Sequence, residues 1–363
     1  MKIAFVSAAQ SSHTVKWVNA LAQRGHTVRL YSLPDHADKQ KSIDPNVQTV
    51  LLKHSGFSGY FRNAKQLKRE IESFKPDIVN AHYASGYGTL ARLSHVHPLL
   101  LSVWGSDVYL FPYKSPLHKK LIADNIHYAD AVASTSQVMA EQVRRLFGSK
   151  KRIFITPFGV DCQKFAPREK TEKKVFVVGA VKSLEPPYGM DDLIRAFYLF
   201  LKRLPPDTEN VLDIYGKGSM NGSLQQLINS LNLKGKAFLR GAIPNTDVQY
   251  ALNNMDVVCL PSISESFGVS AIEAMACGIP VVASDADGFL ETVKNNVTGF
   301  TVPKRNPEAM AEKIYLLEQN SELRRKMGKA GRKYVMQFYD LNKNVEIMEN
   351  VYNTVIRSAT ASM

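Results

Sequence analysis

The sequence predicts an α/β protein made of two doubly wound parallel-sheet domains in tandem, and three observations carry that prediction. Short β-rich apolar runs alternate with helical segments along the chain. The alternation is interrupted by a charged stretch, PREKTEKK (167–174), and then restarts. The 363 residues are enough for two domains, each able to bury its own core.

The elements follow in order. KIAFVSA (2–8) reads as a buried strand, and helix 14–24 comes next with Ser11 and Ser12 as capping candidates. Gly25-His26 ends that helix. TVRLYS (27–32), VQTVLL (47–52), DIVNAH (77–82), PLLLSVWG (98–105), AVASTS (131–136) and RIFITP (152–157) are further strands, most of them separated by helices. Past the charged stretch, KVFVVGAV (174–181), VLDIYGKG (211–218), AFLRGA (237–242), DVVCLPS (256–262), PVVAS (280–284) and TGFTVP (298–303) repeat the pattern. After 306 the text is helical throughout. The expected domains are 1–168 and 173–339, with a helix at 340–360 packing back on the first. Ligands bind such sheets beyond the carboxyl ends of the strands, so a central cleft between the two domains is the expected site.

Composition narrows the class. Hydrophobic residues make up 45% and charged residues 22%, as in ordinary globular proteins. No apolar run approaches the ~20 residues of a membrane span. Cys162, Cys259 and Cys277 are widely spaced and form no CxxC, which argues against disulfides and zinc and fits a cytoplasmic location. The net charge of +13 is uneven: residues 1–170 hold 24 Lys+Arg against 12 Asp+Glu, while the rest hold 22 against 21. A basic half points to an anionic partner. Segment 53–75 sets Lys53, Arg62, Lys65, Lys68, Arg69 and Lys75 beside Phe57, Tyr60 and Phe61, a mixture suited to an anionic membrane surface. Lys119 and Lys120 extend the patch. The alternative is a solvated helix with Phe61 and Leu67 in the core. No nucleic-acid-binding motif accompanies the charge, so nucleic acid is not an expected partner.

The most informative stretch is ESFGVSAIEAMACGIPVVAS (265–284). It reads as a loop, a short apolar helix capped by Ser266, a stop at Gly278 and Pro280, and a buried strand. Gly268 lets backbone approach a ligand, and a helix start is an anion site. Glu273 stands among Ala271, Ile272, Ala274, Met275 and Ala276. A carboxylate with so little water needs a partner, and the vicinal diol of a ribose is a good one. Glu265, on the loop, lies closer to whatever the phosphates carry.

Glu265 through Gly278, with PVVAS after it, resembles the glutamate-x7-glutamate motif of family 4 glycosyltransferases, retaining enzymes of GT-B fold. GHTVRLYS, PDIVNAHYASGYG, LSVWGSDVY, LDIYGKGS, LRGAIP, ALNNMDVVCLPS and NNVTGF extend the similarity over nearly the whole chain. The resemblance implies a nucleotide-sugar donor, with UDP the commonest nucleotide of the family. It gives Glu273 the ribose hydroxyls and Glu265 the donor sugar. The backbone of Phe267, Gly268 and Val269 lies against sugar and diphosphate, and the base sits near Ile243. The acceptor is a hydroxyl of a glycan, a lipid-linked sugar or a small molecule.

The sequence also departs from the family. Where relatives read Gly-Arg-Leu and later Lys-Gly, this chain has GAVKSLEPPYGM (179–190), with Ala180 at the arginine and Tyr188 before Gly189. Lys182 is the one cation in that loop and the expected phosphate contact. Gly216 and Lys217 of YGKGS are further donor-side candidates; the rest of a Walker A pattern is missing. In the first domain SAAQSSHT replaces a glycine-rich turn, leaving His13 as an acceptor-side candidate. Relatives often carry a histidine where this chain has Trp104, so Trp104 is expected to stack on sugar and Asp107 to bind a hydroxyl. His82, at a strand end, is a further catalytic candidate. Asp285-Ala286-Asp287 is read as an accidental DxD, and activity without metal or cofactor is expected. Glu291 occupies a family glutamate position. Nucleotide-sugar 2-epimerases share the fold, and a non-catalytic binding subunit of GT-B form is a further alternative. A nicotinamide dehydrogenase is disfavoured, since no strand is followed by GxGxxG.

Overall fold

A computed structural model describes residues 1–148, 150–168, 175–205 and 208–361. The chain divides into two units, residues 1–158 with 342–363, and residues 159–341.

In the first unit the apolar runs form strands, the central ones covered on both faces, as parallel sheets require. They are β1 (Lys2–Val6), β2 (Thr27–Ser32), β3 (Gln48–Leu51), β4 (Ile78–His82), β5 (Leu99–Val103), β6 (Ala131–Ser134) and β7 (Ile153–Ile155). All are parallel, in the order β3-β2-β1-β4-β5-β6-β7. Helix α1 (Ser12–Gln23) starts at Ser11, whose side chain makes no capping bond. After it come α2 (Gly56–Arg62), α3 (Ala64–Phe74), α4 (Gly86–Leu93), α5 (Ser106–Tyr109), α6 (Pro116–Tyr128) and α7 (Gln137–Phe147). The direction of strand order reverses between β1 and β4. Right-handed crossovers therefore put α3, α4, α6 and α7 in one layer. Their Leu67, Ile71, Leu90, Ile122, Ile126 and Val143 share a core with Val79, Ala81 and Leu101 of the sheet.

Segment 53–75 is two helices. Phe57 and Phe61 stand 69% and 42% exposed, while Leu67, Ile71 and Phe74 are buried. Of the alternative reading, Leu67 is in the core as expected, while Phe61 is on the surface. Among the described residues no helix is long and apolar enough to cross a membrane.

The second unit repeats the plan with β8 (Phe176–Val181), α8 (Met190–Leu201), β9 (Asn210–Tyr215), α9 (Asn221–Ser230), β10 (Ala237–Gly241), α10 (Val248–Asn253), β11 (Val257–Leu260), α11 (Val269–Ala276), β12 (Val281–Ser284), α12 (Asp287–Thr292) and β13 (Gly299–Val302). Its parallel sheet runs β10-β9-β8-β11-β12-β13, so the switch point lies between β8 and β11. Helices α13 (Pro307–Gln319) and α14 (Ser321–Phe338) close the unit.

The chain enters and leaves this unit side by side. Val160 pairs with Asp340 in a parallel bridge, the Val160 amide donates to the Tyr339 carbonyl at 2.8 Å, and the Leu341 amide donates to the Val160 carbonyl at 3.0 Å. The crossing therefore lies at 158–159, ahead of the charged stretch, of which residues 169–174 fall outside those described. Helix α15 (Leu341–Thr360) belongs to the first unit. Asn80 donates to the buried Tyr352 hydroxyl at 2.8 Å, and Glu349 accepts from Arg24 and meets His26 at 2.7 Å.

Candidate functional site

The second unit gathers most of the donor-side candidates around its switch point. Lys182 follows β8 directly, and its ammonium donates to Glu265 Oε2 at 2.6 Å, with both side chains largely buried. The Tyr188 ring centroid lies 4.4 Å from the same nitrogen. Burial alone pulls the Lys182 ammonium down, but Glu265, and to a lesser extent Tyr188 and Glu273, outweigh it and raise it above its ordinary value. Lys182 is therefore a fixed cation. Tyr188 enters the sequence reading only as a missing lysine, and nothing in the spacing signals that it covers Lys182.

The loop carrying Glu265 is held on both sides. The Gly288 amide donates to the Glu265 carbonyl at 2.9 Å, and buried Phe267 meets Tyr339 edge-on at 5.5 Å. Gly268, not Ser266, is the residue at the helix start. It has φ of +97°, and a Cβ there would lie 2.8 Å from the Phe289 ring. Gly268 has no side chain to cap the helix, whose first turn is tied to β8 by Ser270 Oγ donating to the Val181 carbonyl at 2.9 Å. A helix start beside the end of β8 suits an anion. Glu273, fifth in α11, is half-buried while its neighbours from 271 to 276 are buried.

Two more loops complete this edge. Gly216 has φ of +157° and passes so close to the Lys182 carbonyl that a Cβ would sit 1.9 Å from it. The Gly216 amide donates to the Gly241 carbonyl at 2.8 Å, and half-buried Ile243 follows just beyond. Lys217 is exposed, and its carbonyl accepts the Leu184 amide at 3.0 Å. Glu185, a residue the sequence reading passed over, clamps the two loops by accepting from the Ser219 hydroxyl and amide, bonds that hold its carboxyl below the usual range.

The DxD is spread over a turn. Asp285 accepts the Lys304 amide at 2.9 Å and Asp287 opens α12, with half-buried Glu291 one turn on. Among the described residues no three His, Cys, Asp or Glu side chains are grouped to hold a metal ion.

In the first unit the candidates cluster at the carboxyl ends of β1, β4 and β5, but three of them are enclosed. Asp107 is 1% exposed, and its carboxylate accepts the amides of Ala84, Trp104 and Gly105 at 2.8, 3.1 and 2.8 Å. It is a staple for the turn after β5 and not a group reaching for a hydroxyl. Burial pushes its carboxyl up despite those amides. His82 is fully buried. Its Nδ1 meets Ser7 Oγ at 3.0 Å, Ser7 continues to Thr14 at 2.7 Å, and its Nε2 has no hydrogen-bond partner. Burial, and then His13, hold the imidazole well below its ordinary value, so it is neutral. Trp104, only 7% exposed, is packed by His82 at 4.2 Å, Tyr83 at 5.4 Å and Phe158 at 5.4 Å, which leaves little ring for stacking on sugar. His13, stacked on Phe158 at 3.9 Å, is half-buried and the most open of the four.

Comparison with known proteins places these groups in context. The family described as "Glycosyl transferases group 1" matches residues 161–334, and "Glycosyl transferase 4-like" matches residues 2–136. The chain is 23% identical over 358 residues to the N-acetyl-alpha-D-glucosaminyl L-malate synthase of Bacillus anthracis, covering 93% of this chain and 91% of that protein. It is 32% identical over 223 residues to the capsular polysaccharide biosynthesis glycosyltransferase CapM of Staphylococcus aureus, covering 59% and 55%. Among solved structures, sucrose-phosphate synthase from Thermosynechococcus elongatus superposes with a TM-score of 0.87 at 20% identity over 99% of this chain and 100% of that one. Anabaena HepE in complex with UDP gives 0.80 at 18% identity over 98% and 100%. Both likenesses show the shared fold, two Rossmann-like parallel-sheet domains of GT-B type.

Proposed function

The chain belongs to the group 1, 4-like glycosyl transferases, and from that premise we propose that it is a retaining enzyme working in polysaccharide or glycolipid biosynthesis. It moves a hexose or N-acetylhexosamine from a UDP-sugar to a hydroxyl of a glycan, lipid-linked or small-molecule acceptor. The observation that carries the reading is the Lys182–Glu265 pair, with Glu273 close enough to act on the same ammonium, next to the glycine-started helix α11.

Each group has a task its chemistry allows. Glu273 accepts from the two ribose hydroxyls. The backbone of Phe267, Gly268 and Val269 and the Lys182 ammonium face the diphosphate, where negative charge grows as the nucleotide departs. Glu265 orients the donor sugar. Gly216, Lys217 and Ile243 border the nucleotide. His13 lies on the acceptor side, with Trp104, His82 and Asp107 shaping the floor beneath it. The acceptor oxygen bonds to the anomeric carbon from the side the nucleotide leaves, the carbon–oxygen bond to the β-phosphate breaks, and the acceptor proton passes to a phosphate oxygen. Configuration is kept, and the protein chiefly positions and neutralises. The reaction needs no metal or cofactor. A lipid-linked acceptor fits the basic and aromatic segment 53–75, which meets the inner face of an anionic membrane from the cytoplasm.

UDP titration by calorimetry tests the donor site. Glu273→Ala removes two charge-assisted hydrogen bonds and weakens UDP binding by about 10- to 100-fold. Slow hydrolysis of a UDP-sugar without acceptor is lost in Lys182→Ala and in Glu265→Ala, the latter still binding UDP. Unchanged UDP affinity in Glu273→Ala refutes the site, and release of a 2-epimerised nucleotide sugar moves the protein to the isomerases.

A further inference from the structure

Residues 110–119 of the first unit carry an unabsorbed feature. Leu110, Tyr113 and Leu117 are 53%, 64% and 78% exposed within eight positions, and Lys114 and Lys119 between and after them are exposed too. Soluble surfaces show single exposed apolar side chains, and a group of three needs a reason. The backbone that presents them is firmly held. Ser115 caps α6 by accepting the His118 amide, and Gln142 donates to the Val108 carbonyl at 3.2 Å and to the Tyr113 hydroxyl at 3.3 Å. The corner is rigid while its apolar tips project.

Of the cations around it, Lys120 pairs with Asp124 at 3.0 Å. Lys114 lies over the Phe111 ring at 5.4 Å, and among the described residues neither Lys114 nor Lys119 has a carboxylate partner. The same holds for Arg62 and Lys65 near Phe57 and Phe61. The two clusters lie on one edge. Helices α2, α4 and α6 start beyond the carboxyl ends of β3, β4 and β5, and the Tyr60 ring of α2 abuts Gly86 at the head of α4. The corner and α2 thus flank α4 at the sheet edge where His82 and Trp104 end their strands.

We propose that the 110–119 corner is a second contact with an anionic lipid bilayer. Leu110, Tyr113 and Leu117 enter the headgroup layer, and Lys114 and Lys119 meet lipid phosphates. Apolar tips ringed by cations match such a surface in both respects. Two contacts also fix the edge of the sheet against the bilayer where one leaves it free to pivot, which suits a site that takes a lipid-linked acceptor. The proposal rests on the membrane reading of 53–75.

The test is co-sedimentation of the full chain with vesicles of phosphatidylglycerol and phosphatidylethanolamine, and with phosphatidylcholine alone, at low and high salt. Leu110→Ser/Leu117→Ser lowers partitioning onto the anionic vesicles by about tenfold with UDP affinity unchanged. Tyr113→Trp shows a blue-shifted emission on the same vesicles. Loss of binding only in Phe57→Ser/Phe61→Ser overturns the second contact and keeps the first. No sedimentation of the unaltered chain overturns both membrane readings while leaving the UDP result intact. A dimer by light scattering that the Leu110→Ser/Leu117→Ser variant abolishes assigns the corner to a second copy of the chain and overturns the proposal.

Discussion

His82 shows what a single buried side chain contributes. Its ring lies under Trp104, and burial holds it neutral. Once the pH falls below the ordinary histidine value of ~6.5, the unfolded chain binds a proton that the folded chain refuses. The contribution is complete above that pH and is lost as the pH falls, at up to about 1.4 kcal/mol per pH unit. Thermal unfolding between about pH 7.5 and 5.0 therefore falls more steeply in the unaltered protein than in His82→Gln; coincident profiles would show that the buried imidazole protonates freely. The same residues mark where the sequence misleads. His82 ends β4, and Trp104 and Asp107 follow β5, on the side where such sheets bind ligands. Position along a strand does not reveal what folds over its end, and here Tyr83, Phe158 and three backbone amides do. On the donor side, the glutamate motif singles out Glu265 and the lack of another cation in its loop singles out Lys182. Their pairing with each other was not, since 83 positions separate them.

At the scale of elements, the placing of α11 depends on a neighbouring helix. α14 reaches α11 closely because Gly328 lies against the Gly278 carbonyl, 2.0 Å from where a Cβ would stand, and Gly331 lies against Met275. Gly328→Ala overpacks backbone against backbone and costs about 1–3 kcal/mol in urea unfolding. Gly222→Ala in α9, with nothing within 4 Å, is neutral or stabilising by up to about 1 kcal/mol. Equal effects at the two sites would remove the steric argument. The strands were easy to read because parallel strands buried on both faces are unbroken apolar runs. The sequence points to a serine at the start of α11, and the structure puts Gly268 there. The positive φ at position 268 and the Phe289 and Thr292 side chains against it require glycine there, and spacing does not show them.

On the scale of the molecule, the first unit is made of two distant pieces of chain. Tyr352 of α15 is fully buried and bonded to Asn80 of β4. Tyr352→Ala removes a core aromatic at a cost of about 3–5 kcal/mol, and hydrogen exchange locates the loss in β1, β4 and β5 while β8 to β13 keep their protection. Uniform loss across both sheets would mean that the two units unfold as one. The division was legible from the restart of the strand pattern; the crossing at 158–159 was not, because it is marked by two backbone hydrogen bonds and by no unusual residue. That arrangement also sets an order of events during translation. The second unit has all its strands once residue 302 is clear of the ribosome, whereas the nascent first unit waits, its sheet missing a tyrosine, until the segment beyond 341 emerges. The domain begun first is finished last, and chaperones meet it half-built for the longest time.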